Sequence, residues 1–173
     1  MRDARLGIAA ALLAIFALTT AHAIEMGQPT QMKRPVPQVR HVNKPVPQPM
    51  PHRVVIQVDQ NDPAVMNLAL NNATNVIDYY RKKGESADVE IVAFGPGLNM
   101  LRADTTPVAD RIHAMKDIAF PGKLRFAACG VTREGMEKKE GTQLELLPEA
   151  SMVPSGVVHM MELQEKGWSY VRP

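Results

Sequence analysis

Beyond residue 52 the chain predicts an α/β fold, with a mainly parallel sheet of about five strands and helices on both faces. Three observations carry this. Short β-branched runs such as Arg53–Asp59 and Asp88–Phe94 are bounded by Pro, Gly and Asn, as buried strands are. Between the runs, apolar residues recur at helical spacing. The connections are long enough for crossovers, which parallel pairing requires.

In chain order, Arg53–Asp59 reads as the first strand. Asp62 caps the following helix with Pro63 at its first position, and Val65, Leu68, Ala69, Val76 and Tyr79 mark an apolar period that ends at the basic Arg81-Lys82-Lys83 and Gly84. Asp88–Phe94 is the second strand, broken by Gly95-Pro96-Gly97, and Leu98–Arg102 suits one helical turn. Pro107–Ala119 repeats a helical period through Val108, Ile112, Met115 and Ile118. Leu124–Ala128 is the third strand; Gly130 then turns the chain, and Thr132 is placed to cap a helix over Arg133–Lys139. A short strand is expected within Gly141–Leu147, a helix over Ser155–Lys166 offering Val157, Val158, Met161 and Leu163 to the core, and a last strand over Trp168–Val171.

The first 52 residues have another character. Met1–Ala23 has the parts of a secretory signal: Arg2 and Arg5, the apolar stretch Leu6–Leu18, and the small-x-small site Ala21-His22-Ala23. The apolar stretch is shorter than the roughly 20 residues of a membrane span. Cleavage after Ala23 and a periplasmic location are therefore expected, with no stable membrane insertion afterwards. Residues 24–52 are rich in Pro and basic, and Arg34-Pro-Val-Pro-Gln is echoed by Lys44-Pro-Val-Pro-Gln. Such a composition lacks donors and core formers and suits a solvated polyproline tether, of which Pro29–Pro51 could reach about 70 Å. Residues 53–173 form the globular domain. The formal charge of +2 becomes +1 once Arg2, Asp3 and Arg5 leave, so charge assigns no partner class.

Several chemistries are missing. The chain holds no GxGxxG after a strand, no Walker-type loop and no GxSxG elbow, and its single Cys rules out Cys-x-x-Cys. The one acid-free basic stretch, Met26–Val58, lies mostly in the tether and the remainder is mildly acidic, which argues against nucleic acid. His and Met in the tether have no regular ligand spacing, so no metal is expected, and nothing implies a cofactor. His113 and His159 fall within expected helices and suit surface or capping roles.

Cys129 remains. Placed where a strand runs into a helix, it would face the positive end of that helix, which favours thiolate and makes it the candidate catalytic residue. The alternative is a small buried hydrophobe, a common fate of free Cys. The candidate crevice around it comprises Asp59, Asn61, Asp62, Gly95, Gly97, Gly130, Thr132 and Arg133, the last as a nearby cation.

Several ordered blocks carry a resemblance over nearly all of Arg53–Pro173: Asp59…Asp62-Pro63, Val92-Ala93-Phe94-Gly95-Pro96-Gly97, Phe126-Ala127-Ala128-Cys129-Gly130-Val131-Thr132, Val153-Pro154-Ser155-Gly156-Val157 and the terminal Gly167-Trp168-x-Tyr170-x-Arg172-Pro173. Together they resemble the DsrE/DsrF-like family of sulfur-relay proteins. The resemblance implies a Rossmann-like single domain that assembles into homo-oligomers, commonly trimers or hexamers. It also implies a cysteine, at the position of Cys129, that accepts a persulfide sulfur from a donor and passes it to an acceptor protein, making the chain at most a sulfurtransferase-like carrier. A non-catalytic binding module with a structural Cys is the alternative.

Overall fold

The computed structural model describes residues 50–173; the expected signal segment and nearly all of the Pro-rich tether lie outside the described residues. Five strands form one parallel sheet: β1 (His52–Val58), β2 (Ala87–Ala93), β3 (Lys123–Cys129), β4 (Ala150–Val153) and β5 (Ser169–Val171), in spatial order β4-β3-β2-β1-β5. The helices are α1 (Pro63–Lys82), a 3-10 helix (Gly95–Leu101), α2 (Ala109–Ala114), α3 (Gly130–Glu140) and α4 (Gly156–Glu165). The expected α/β class with a parallel sheet is therefore the fold of the domain.

The topology follows from chirality. From β1 through β4 each strand is laid beside the last in one direction, and right-handed crossovers put their connections on one face. There α1, the 3-10 helix and α2 bury Met66, Leu70, Ile77, Leu98, Met100 and Ile112 against Ile56, Ile91 and Phe126, with Met136 of α3 at the margin. The chain then reverses: β4 and β5 are opposite edges, so α4 must cross the other face, where it touches β3, β2 and β1. Its core is small, comprising Val55, Val92, Ala127, Met160, Leu163 and Trp168.

Local chemistry explains the firm boundaries. The Asp62 side chain accepts the Ala64 N–H at 2.7 Å, with Pro63 at the first position of α1. Gly141 closes α3 in the left-handed region at φ 70°.

Five expectations are corrected. In α1, Leu68 and Tyr79 are exposed, because the face that meets the sheet is the one through Met66, Ala69, Leu70, Ala73 and Ile77. The helix expected over Pro107–Ala119 keeps α-helical bonding only over Ala109–Ala114, although Val108, Ile112, Met115 and Ala119 all reach the core. Thr132 does not cap α3: the helix begins at Gly130, and Cys129 is its N-cap, Sγ accepting the Thr132 N–H at 3.4 Å. Gly141–Leu147 forms no strand beyond a single antiparallel bridge between Leu146 and Arg102; the fourth strand is Ala150–Val153, a half-exposed edge whose identity comes from pairing with β3. Finally, Val157, Val158 and Met161 of α4 point to solvent, since the helix presents Gly156, Met160 and Leu163 to the sheet.

Candidate thiol site at the sheet switch point

β3 and β4 are neighbours whose following helices leave to opposite faces, α3 to one and α4 to the other. In open α/β sheets the crevice at the carboxyl ends of such a strand pair is where ligands bind. Cys129, the last residue of β3, stands there in register with Val153. Two helix N-termini converge on it. Gly130 makes the approach possible, because a Cβ there would lie 3.2 Å from the carbonyl oxygens of Val153 and Pro154. The Val131 N–H binds the Pro154 carbonyl at 3.1 Å, tying the start of α3 to the end of β4. Gly156 at the start of α4 is equally close, since a Cβ there would lie 3.2 Å from Cys129 Cβ and 3.0 Å from Phe94 Cβ.

The thiol is 4% exposed. Burial by itself pushes its pKa up, but the Thr132 hydroxyl and the backbone N–H groups of Gly156, Thr132 and Val131 favour the anion and together hold it below the ordinary thiol value. Thr132 is a hub of the site. Its Oγ1 also accepts the Gly95 N–H at 2.9 Å, joining α3 to the loop that follows β2.

The other candidate residues divide. Asn61, Gly95 and Thr132 line one groove of about 660 Å³ between the 3-10 helix and α3, together with Pro96, Asn99, Arg102, Gly135 and Lys139. Gly95 adopts φ 51° there. Gly97 is a packing glycine, because a Cβ would stand 2.2 Å from the Val58 carbonyl oxygen. Asp62 is occupied as the α1 cap, and Asp59 faces Arg172 at 3.4 Å. Arg133 is not the cation beside the thiol: its guanidinium is drawn to Glu137, one turn along α3, at 2.8 Å.

Sequence reasoning passed over two features. Arg102 is buried and held by both oxygens of Asp104 and of Glu140 at 2.7–3.0 Å, which keeps its pKa above the ordinary value. Glu90, buried mid-strand in β2, accepts from Arg125 at 2.9 Å and meets His159 at 2.5 Å, so His159 is the clasp of α4 rather than a surface residue. A charged residue within the run Asp88–Phe94 is the one sequence signal that pointed to a partner across the sheet. Among the described residues no group of His, Cys, Asp and Glu suits a metal ion.

Fold and site together define a small α/β protein with a hydrogen-bonded thiol at a sheet switch point. A solved structure from Methanobacterium thermoautotrophicum, the protein of unknown function MTH1491, superposes with a TM-score of 0.59 at 30% sequence identity, covering 70% of this chain and 99% of that one. The chain belongs to the same family as that protein. No family model matches the sequence, and no curated protein does.

Proposed function

We propose that this is an exported sulfur carrier of the DsrE/DsrF-like type, in which Cys129 takes a sulfane sulfur as a persulfide and hands it to an acceptor thiol. One observation carries the reading: Sγ accepts the Thr132 N–H at the start of α3 and stands beside the first turn of α4 at Gly156, an arrangement that favours thiolate in a site otherwise hostile to charge. The thiolate attacks the outer sulfur of a donor R–S–SH. The donor's S–S bond breaks, R–S⁻ leaves and takes up a proton from water, and Cys129 becomes Cys–S–SH. An acceptor thiolate then attacks that outer sulfur and Sγ departs as thiolate, so the cycle involves no net oxidation. Export rests on the segment Met1–Ala23, and N-terminal sequencing of the protein recovered from the periplasm should begin at Ile24.

Assembly into a homo-oligomer belongs to the same reading. Val157, Val158 and Met161 give α4 an apolar outer face, and Met152 is exposed on the adjoining β4. Sedimentation should give a mass well above one chain, falling on Val158→Glu; a monomer across a dilution series would remove this part.

The test of the carrier is intact mass after incubation with inorganic polysulfide. Wild type should gain one sulfur, about 32 Da, that thiols remove, and Cys129→Ser should gain none. A wild-type chain that stays unmodified, and that iodoacetamide labels only after unfolding, would leave the second reading, a non-catalytic binding module. That alternative is favoured by the groove itself, whose lining does not include Cys129.

A further inference from the structure

The groove has an unexplained feature in its wall. Gly135 sits mid-way along α3, where glycine costs about 1 kcal/mol relative to alanine. Its φ is not in the left-handed region, and a Cβ built on it meets nothing within 4 Å. Neither backbone conformation nor packing asks for glycine there. Its effect is to leave open a groove of about 660 Å³, within the range that small ligands occupy.

The two ends of the groove differ. One end is Gly95, Asn61, Val131 and Thr132, neutral and adjacent to the thiol, since the Thr132 N–H is bonded to Sγ. The other end, about 10 Å away along seven residues of α3, carries Arg102, Lys139 and Glu140. Arg102 is committed to Asp104 and Glu140 and acts as a fixed wall. Lys139 enters no ion pair among the described residues, and the Glu140 carboxylate keeps lone pairs beyond the two bonds it accepts. A cation and an anion one residue apart match a group that bears both charges on one carbon.

The geometry points to this groove as the docking site of the sulfur donor, and to that donor as a short peptide persulfide with a free α-amino-acid head: carboxylate toward Lys139, ammonium toward Glu140, and sulfur at Thr132. The identification of the ligand as a donor rests on the carrier reading above; the groove's preference for a zwitterionic peptide does not. Cys129 does not line the groove; Thr132 does, and its N–H is bonded to Sγ, so the sulfur end of the groove adjoins the thiol through that residue. The transfer is the balanced exchange already given, the peptide leaving as its thiolate.

S-Methylglutathione, a peptide thioether with no sulfur to transfer, tests the site apart from the chemistry. Titrated into the ¹⁵N-labelled mature chain, it should shift the amides of Gly95, Thr132 and Gly135. Lys139→Glu should weaken binding about fivefold, and Gly135→Leu, which fills the groove while improving helix propensity, should abolish it. Absence of those shifts, or unchanged binding in both variants, overturns the proposal. Glutathione persulfide then tests the donor role: it should load Cys129 in wild type and load Gly135→Leu at least tenfold more slowly, while inorganic polysulfide loads both alike. Equal loading of both variants by the peptide persulfide overturns the donor assignment and leaves the carrier reading standing. If the thioether binds yet neither donor loads Cys129, the carrier reading falls, and with it the ligand's role as donor.

Discussion

The two faces of the sheet are built on different principles. On the face of α1, burial is apolar and deep: Met66, Ala69, Leu70, Ala73, Ile56, Ile91 and Ile112 have no exposed surface. On the face of α4 one helix does the covering, and beneath it lies an ionic clasp in which Glu90 meets Arg125 and His159, with the Arg125 guanidinium 5.3 Å over the Trp168 ring. The difference teaches where stability and where adaptability reside. Apolar burial is non-directional and strong in sum. A clasp of one buried carboxylate and two part-exposed partners holds geometry with little net energy, and α4, which it orients, supplies one of the two helix ends at Cys129.

The largest effect that would test this contrast is on the thick face. Leu70→Ala should destabilise by about 2–5 kcal/mol, read as a lowered urea midpoint with an unchanged slope. Glu90→Gln on the thin face should cost less, about 1–2 kcal/mol. Breaking a fully buried pair costs more, but the Arg125 side chain is 37% exposed and water can take up its released charge. If Glu90→Gln proves as damaging as Leu70→Ala, the faces are not different in kind.

The next effect is at the thiol and depends on pH. Because the folded-state pKa of Cys129 lies below that of the unfolded chain, about 8.5, the unfolded state binds the extra proton between the two values. Stability therefore rises with pH across that window, and is lost as pH falls through the folded value. Chemical denaturation of wild type against Cys129→Ala should give a difference that grows in favour of wild type from neutral pH towards pH of about 9. A difference that shrinks over the same range would mean that burial outweighs the donors. Thr132→Val, which deletes the hydroxyl donor, should move the alkylation profile to higher pH. Arg133→Ala should have the smallest effect and leave that profile where it is, since the guanidinium is on Glu137.

Much of the fold was legible because its signals are local. The Asp62-Pro63 cap, the β-branched runs of β1 and β2, and the Gly84 that follows α1 act within a few residues of themselves. The elements that were misread depend on distant partners. Ala150–Val153 is a strand only because β3 offers an edge. The outward face of α4 is as apolar as its inward one, so no periodicity could say which side meets the sheet. Around the thiol, a strand–helix junction was readable at Cys129, but not that the residue is itself the cap of α3.

By itself, then, the sequence determined the α/β class, the parallel sheet, the position of the thiol at a strand end and the order of most elements. These follow from hydrophobic period and capping chemistry, which are properties of short windows. Only the tertiary structure decided that β4 and β5 take opposite edges, that α4 therefore crosses the far face alone, and that its first turn meets that of α3 at Cys129. It also turned Arg133 away to Glu137 and joined Glu90 to His159 across 69 residues of chain. Such pairings are set by chain reversal and by the low-dielectric interior, where a charge takes whatever partner the packing brings within reach, and no local window encodes that.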